Sequence, residues 1–423
     1  MVYPDWHGRS FDDIDLRLCT SCGTCISACP VDALAWHNDE SIAFDRNVCV
    51  NCGICYAVCP PECSIGAEWP TPGERAQTTI LDPWVGLHSS LSRAYAADPA
   101  VREAGSAGGV VTSLLLAALD EGLVDGALVV TNDPNDPTRP LVTVARTQRE
   151  IRAAAQSKYC LAPVNALLDR IRHEEGQLAV VSLPCQAHGL RLAQGLNLTI
   201  TRKVALIIGV FCGFNVKYEG TAYLLRKLGI RSEDVARLEH RGGRWPGGFR
   251  VVTHGGHEAF IPKHHCTYVN LMYAPEGCWY CPDLTAEFAD LSVGDYWIGD
   301  VHGYSTVIGR TAAGQGLLDR AKEHRKIIAE VIPYDEVLAS HRHLLNYKKK
   351  GVQVRRRMSN RRPVQGYALP STTASDSLRS ALFFGLIRFS SSRPGRWLIG
   401  QLPLGLTGLL SARGRQMFRT DKR

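Results

Sequence analysis

Fifteen of the 423 residues are cysteine, and eight of them form a pattern. Residues 19–30 read C-T-S-C-G-T-C-I-S-A-C-P and residues 49–60 read C-V-N-C-G-I-C-Y-A-V-C-P, one C-x2-C-x2-C-x3-C-P run repeated 30 positions on. Three thiolates on a tight turn can wrap one iron-sulfur cubane, while the fourth, opening the helix that follows, faces a second cubane. The spacing assigns Cys19, Cys22, Cys25 and Cys59 to one 4Fe-4S cluster, and Cys49, Cys52, Cys55 and Cys29 to another. Gly23 and Gly53 let the backbone approach the sulfides, where amide N–H groups offset the cluster's negative charge. Pro30 and Pro60 end the chain's course after each fourth ligand. Structural zinc is the alternative, but it asks for two well-separated pairs per ion and needs neither the duplication nor the prolines. Cys63, in C-P-P-E-C, stands outside the pattern and reads as a free thiol.

The doubled run has the spacing of a bacterial two-cluster ferredoxin, which predicts that fold over residues 1–67. Such a unit relays electrons and binds no organic substrate, so the substrate chemistry must lie further along. Pro70, Pro72, Gly73 and Pro83 mark residues 68–84 as a linker.

Beyond Val101 the pattern alternates helices with short β-branched runs. Gly105-Ser106-Ala107-Gly108-Gly109 opens a helix over 110–119, and a strand is expected over 126–130. Helices are expected over 149–155 and 164–173. The strand 177–182 ends at Pro184-Cys185-Gln186, with a helix over 188–193 after it. The strand 203–210 ends at Phe211-Cys212-Gly213, with a helix through 223–228. Residues 249–253 and 258–261 form a hairpin around Gly255-Gly256. Two apolar strands that each finish in a cysteine point to a mixed-sheet α/β body with function at the strand C-termini. Cys278-Trp279-Tyr280-Cys281-Pro282 follows. With Cys185 and Cys212 it makes four thiolates, enough for a third cubane, with zinc or free thiols as the alternatives. A glycine-rich helix start suits a pyrophosphate, although G-S-A-G-G is not G-x-G-x-x-G and helix-packing glycines are common. Lys158 and Tyr159 suit a flavin through charge and stacking, or are a solvated pair.

Several segments together resemble the coenzyme F420 hydrogenase/dehydrogenase beta subunit family. They are G-S-A-G-G-V-V-T-S-L-L (105–115), S-K-Y (157–159), L-P-C-Q (183–186), G-V-F-C (209–212), C-W-Y-C-P-D-L-T-A-E-F-A-D-L-S-V-G-D (278–295) and G-Y-S-T-V-I-G-R-T-A-A-G (303–314). The likeness runs from about residue 85 to 345, dividing the body into 85–170 and 171–345, and the 278–295 segment is its most specific part. It implies FAD and at least one 4Fe-4S cluster, with the deazaflavin coenzyme F420 as electron partner of many members. Position by position, it implies Cys185, Cys212, Cys278 and Cys281 as cluster ligands. It implies Ser106, Gly108, Gly109, Thr112, Ser157, Lys158 and Tyr159 at the flavin, with residues 292–295 near the site. Ala107 stands where some members carry an acidic residue, and only some relatives have the fused two-cluster ferredoxin.

The resulting expectation is an FAD- and 4Fe-4S-dependent oxidoreductase moving electrons among F420 or a similar low-potential organic substrate, FAD and the clusters. Two alternatives stay open: an electron-transfer subunit of a larger dehydrogenase or hydrogenase complex, or a reductase of a pigment or polysaccharide-pathway intermediate. Hydride transfer demands no side-chain acid or base. His188, His264 and His265 are candidate proton donors or phosphate partners, or ordinary core and surface histidines. Cys160 and Cys266 are bystanders, like Cys63.

Charge divides the chain. Residues 341–423 carry a net +16, and residues 1–340 a net −9. This basic tail, 346–423, includes Lys348-Lys349-Lys350, Arg355-Arg356-Arg357 and Arg361-Arg362, and is expected to be helical. It suits an anionic membrane surface, an acidic partner or the chain's own acidic body. No aromatic-interleaved platform accompanies the charge, which argues against nucleic acid. Residues 1–17 lack an apolar core and hold four Asp, unlike a signal peptide, so the expected compartment is the cytoplasm, with contact at the membrane periphery an option. The apolar stretch 397–410 is too short to span a bilayer.

Overall fold

The computed structural model describes residues 6–37, 40–65, 69–70, 73–76, 79–173, 175–299 and 303–416. At its centre is an eight-stranded mixed sheet. From one edge to the other its strands are Ile327–Val331, Ser90–Ala96, Ser305–Gly309, Leu291–Asp295, Val204–Val210, Leu178–Ser182, Gly126–Asn132 and Pro140–Ala145. The inner strands run parallel, with Leu291 opposite Ile208, Leu178 opposite Val204 and Gly126 opposite Leu178. The two expected cysteine-ended strands lie side by side at the middle of the sheet. Their sequences, LAVVS and VALIIGV, are near-continuous apolar runs because both faces are covered.

One face carries the helices Val110–Asp120 and Ala312–Glu323, whose Leu114, Leu317 and Leu318 pack on Ala127, Leu206 and Ile208. The other face carries the helix Pro184–Gly195 and, beside it, the N-terminal cysteine unit. Phe11, Tyr56 and Val58 of that unit share one core with Leu178, Val180, Leu190 and Ile207. The unit expected over residues 1–67 is therefore a layer of the body rather than a tethered module. The expected linker is only partly among the described residues. There, Trp69 meets the Phe288 ring at 5.6 Å, the Ala312 N–H donates to the Glu74 carbonyl at 2.9 Å, and Ile80–Asp82 pairs with Gly86–His88. These contacts hold the segment against the body.

A second sheet, Val235–Gly242, Gly248–Thr253 and Glu258–Pro262, is antiparallel and contains the expected hairpin. It closes a separate core with the helix Tyr218–Lys227 through Tyr223, Phe249 and Met272. The tail does form helices: Val352–Met358, Ala374–Ser391, Arg393–Gln401 and Leu404–Gln416.

Candidate redox centre

The two cysteine runs fold alike. Ser21 and Asn51 have φ of 57° and 52°, and Gly23 and Gly53 have φ of 85° and 73°. Each glycine caps a one-turn helix, Thr24–Ser27 or Ile54–Ala57. Gly53 has a second constraint, since a Cβ there would lie 1.8 Å from the Trp6 carbonyl oxygen. The turns bring thiols of the two runs near one another. Burial pushes the Cys59 thiol well up, and the charges that reinforce this come from Cys22, Cys25 and Cys19, the run opposite its own. Burial likewise raises Cys55 to about 12, helped by Cys52, Cys29 and Cys49. A cavity is lined by Cys29, Cys49, Cys52 and Cys55 together with Pro30 and Val50. Backbone N–H groups of Ser21 and Ala33 donate to the Cys19 and Cys29 sulfurs at 3.4 and 3.3 Å.

The body supplies a further group. Cys185 lies in the first turn of the helix Pro184–Gly195, which starts four residues earlier than expected because Pro184 can occupy its first position. Cys212 follows the strand Val204–Val210, and Cys278 lies in the short helix Glu276–Trp279. Burial raises Cys185 well above the usual thiol range, with charges of Cys22, Cys281 and Cys278 adding to it. Burial raises Cys212 to about 12, where Lys348 opposes the shift and Cys278 and Cys281 add to it. Cys185, Cys212, Cys278 and Cys281 thus meet from three distant segments.

The groups also neighbour one another. Cys185 senses Cys22, Cys278 senses Cys19, and Cys25 senses Cys55. The body group therefore adjoins Cys19, Cys22, Cys25 and Cys59, which adjoin Cys29, Cys49, Cys52 and Cys55. None of the fifteen cysteines is in a disulfide. Among the described residues no three His, Cys, Asp or Glu side chains form a site for a lone metal ion. A cubane holds its four thiolates apart by its own width, so its ligands need no such convergence.

The donor set fits an anionic cluster in a second way. Lys348 is 2% exposed, donates to the Asp283 carbonyl at 2.7 Å, and faces Cys281, Cys212 and Cys278. Burial alone would discharge it, but those groups outweigh burial and raise its pKa. A buried ammonium against thiols is costly unless negative charge faces it, and a four-thiolate cubane brings about two negative charges. Lys349 pairs with buried Glu287, and Arg355 donates to the Trp279 and Tyr347 carbonyls at 2.7 Å each. Much of the cationic run expected to face a partner or membrane is thus turned inward, onto the segment 278–290. Arg310 is wholly buried and donates to the carbonyls of Val85, Leu87 and Thr285 and to the Ser292 hydroxyl.

At the C-terminal edge of the sheet lies a polar shelf. Ser106 accepts from the Ser157 N–H at 2.7 Å. Arg241 donates to the Tyr159 hydroxyl and Asp295 carboxylate at 3.0 Å, and to the Ser106 carbonyl at 2.7 Å. Lys263 reaches Asp295 at 3.1 Å and lies over the Trp297 ring, which meets Trp245 at 4.6 Å. Burial would raise Asp295, but Lys263 and Arg241 hold it down at about 2. Tyr159 is 37% exposed. Lys158 turns away from solvent, its amine on the carbonyls of Ala154, Ala155 and Gln156, and burial lowers it to about 8. Gly108 and Gly109 are fixed by chain packing: a Cβ would strike the Ala94 carbonyl at 2.8 Å or the Val101 carbonyl at 2.5 Å. Thr112 is buried in the helix they open.

The shelf connects to the body cysteines. His341 bonds the Asp295 carbonyl oxygen at 2.8 Å and meets the Phe211 ring at 5.2 Å, and Phe211 precedes Cys212. Arg241, Lys263, Trp245 and Trp297 were not singled out from sequence. Arg241 and Asp295 are 54 positions apart, and neither stands in a local motif that links them. His188 is 3% exposed and is lowered to about 3 by burial, bonded to Tyr367 in the core beneath the cysteine unit. It is a buried core side chain whose burial favours the neutral form. His264 and His265 meet edge to face beside the helix Leu404–Gln416, with Gly408 against His265. Cys63 bonds the Tyr56 carbonyl inside the core, and Cys160 is buried.

Three family models match the chain in succession. Residues 18–64 match the 4Fe-4S dicluster domain. Residues 91–169 and 176–334 match the coenzyme F420 hydrogenase/dehydrogenase beta subunit, N-terminal and C-terminal parts. The chain is 33% identical over 261 residues to a coenzyme F420 hydrogenase subunit beta of Methanothermobacter thermautotrophicus, covering 60% of this chain and 87% of that one. It is 27% identical over 400 residues to a coenzyme F420-dependent sulfite reductase of Methanocaldococcus jannaschii, covering 91% of this chain but 57% of that one. Among solved structures, a chain of the F420-reducing NiFe hydrogenase complex of Methanosarcina barkeri superposes with a TM-score of 0.55 at 25% identity, over 68% of this chain and 99% of that one.

Proposed function

The chain belongs to the coenzyme F420 hydrogenase/dehydrogenase beta subunit family, and from that membership we propose an iron-sulfur flavoprotein that moves electrons between F420, or a similar low-potential organic substrate, FAD and three 4Fe-4S clusters. What supports the reading is that Cys59 neighbours Cys19, Cys22 and Cys25, that Cys55 neighbours Cys29, Cys49 and Cys52, and that Cys185 and Cys212 each neighbour Cys278 and Cys281. Cys19, Cys22, Cys25 and Cys59 would hold one cluster, Cys29, Cys49, Cys52 and Cys55 a second, and Cys185, Cys212, Cys278 and Cys281 a third. The flavin would lie against the shelf of Ser106, Gly108, Gly109, Thr112, Ser157 and Tyr159, with Lys158 behind it. When bound, FAD would take up an electron pair as hydride and release it one electron at a time to clusters that carry electrons singly, joining hydride chemistry to one-electron transport.

The chain's own part is to position and to tune. Arg241 fixes the Tyr159 hydroxyl and the Ser106 carbonyl in one geometry. Asp295 balances Arg241 and Lys263 and, through His341 and Phe211, ties the shelf to Cys212. Lys348 supplies positive charge at the third group. No side chain is assigned proton transfer.

A second reading, an electron-transfer subunit of a larger complex, is favoured by the solved relative, which comes from a hydrogenase complex. Val48 and Val50, exposed at 45% and 59% beside Cys49, would suit a partner's approach to the outermost cluster. Anaerobic purification with iron, sulfide and flavin analysis tests the core of the proposal: about twelve irons and one FAD per chain are expected. Zinc without flavin would overturn it. Stopped-flow mixing with reduced F420 should bleach the flavin band, and no bleaching would exclude F420 as donor.

A further inference from the structure

The tail leaves an apolar surface that neither the centre nor the core uses. The helix Ala374–Ser391 buries Ser380, Phe384, Ile387 and Ser390 on one side. On the other, Leu378, Leu382, Leu386 and Phe389 recur about once per turn and are 62%, 59%, 46% and 48% exposed. A helix apolar on both sides needs a second apolar contact besides its core. Trp397, in the next helix, is 68% exposed, and Leu410, in the last, 51%. Of the 23 exposed large apolar residues among those described, nine fall between 378 and 410, which marks this segment as a contact surface rather than scattered surface hydrophobics.

Charge identifies the occupant. From residue 377 to the end the sequence has nine Lys or Arg and one Asp. Arg393 and Arg413 are exposed among these helices. A second copy of so cationic a face would repel the first. Aromatic and leucine side chains among arginines match the headgroup boundary of an anionic leaflet, where apolar groups enter the acyl edge and guanidiniums meet lipid phosphates. No described helix is long and apolar enough to cross a membrane, so the mode is lying on the surface. We propose that these C-terminal helices seat the protein on a lipid leaflet rich in anionic headgroups.

Seating would have a consequence for the redox centre. Phe384, on the inner side of the same helix, meets the rings of Trp279 and Tyr280 at 6.2 and 5.8 Å. These two residues separate Cys278 from Cys281. The third cysteine group is therefore one layer of side chains from the docking helix, and a membrane-held electron partner would meet the protein on that side.

The test is co-sedimentation of the full chain, purified anaerobically, with vesicles of about one part phosphatidylglycerol to three of phosphatidylcholine. The protein should pellet with them at low salt, and binding should fall severalfold at high salt and with phosphatidylcholine alone. Leu382→Glu combined with Leu386→Glu should weaken binding by roughly tenfold or more and leave iron content and circular dichroism unchanged, because both side chains face solvent. Arg393→Glu should weaken it less. Wild-type protein that stays in the supernatant, or a double variant that pellets like wild type, overturns the proposal and assigns the face to a protein partner. Equal binding to neutral vesicles overturns the anionic specificity.

Discussion

Lys348 is a buried cation whose charged neighbours are thiols and Asp283. Replacing it with methionine removes a positive charge that faces Cys281, Cys212 and Cys278, taken at roughly 7 Å from the cluster charge. At an effective dielectric near 20 that is worth about 2–3 kcal/mol, on the order of 100 mV for one electron. Lys348→Met should therefore lower that cluster's reduction potential by this order while iron stays at about twelve per chain. A redox titration followed by electron paramagnetic resonance checks it, and an unchanged potential would show that the charge is compensated elsewhere. Asp295 offers a test through pH. Its folded pKa, about 2, lies below the ordinary 3.8, so the unfolded chain binds the proton more readily. The stabilisation is present above about pH 4 and disappears as pH falls towards 2. Asp295→Asn leaves Arg241 and Lys263 facing each other and should cost about 3–5 kcal/mol near neutrality. The gap in thermal stability between the two proteins should narrow as pH drops below 4, and a gap that stays constant would mean that the carboxylate charge is not what holds this corner.

Each one-turn helix follows a positive-φ glycine inside its cysteine run, and the two copies have similar dihedral angles. Gly53→Ala would force a methyl group into the Trp6 carbonyl. Such a protein should lose about four irons, those of Cys29, Cys49, Cys52 and Cys55, and keep about eight, whereas Cys63→Ser should keep all of them. Iron analysis of the two variants side by side decides it, and twelve irons in Gly53→Ala would mean that the turn tolerates a side chain. Elements of this kind were legible in sequence because their signals are local: fixed spacing, glycine at a left-handed turn, and the apolar strands LAVVS and VALIIGV ending in cysteine. The strand Ser90–Ala96, S-L-S-R-A-Y-A, was not, since it has no β-branched residue and five of its seven positions are small or polar. The edge strand Ile327–Val331 gave no alternation of its own, and it forms because Ser90–Ala96 offers it a partner. The shelf was half legible. Ser106, Tyr159 and Asp295 stood in recognisable segments, while Arg241, which joins them, is contributed by the second sheet. The cationic tail was legible as charge but not as direction, because burial of Lys348, Lys349 and Arg355 depends on buried acids and carbonyls of segment 278–290.

The whole molecule sets its groups as successive neighbours. The shelf meets Cys212 through Asp295, His341 and Phe211. The body cysteines meet the first ferredoxin group through Cys185–Cys22 and Cys278–Cys19, and that group meets the last through Cys25–Cys55. The shared core of cysteine unit and sheet makes this order a property of the fold rather than of a flexible tether. The middle station can therefore be removed without touching either end. Cys281→Ser should cost about four irons and leave about eight. Reduced F420 should still bleach the flavin band of this variant at close to the wild-type rate, because the shelf residues are intact. The remaining clusters, which in the wild type should be reduced just after the flavin, should lag far behind it. Stopped-flow absorbance at the flavin band, with freeze-quenched paramagnetic resonance for the clusters, separates the two events. If the ferredoxin clusters of Cys281→Ser were still reduced in step with the flavin, electrons would be entering the N-terminal unit by a route that bypasses the body cysteines, and the linear order would be wrong.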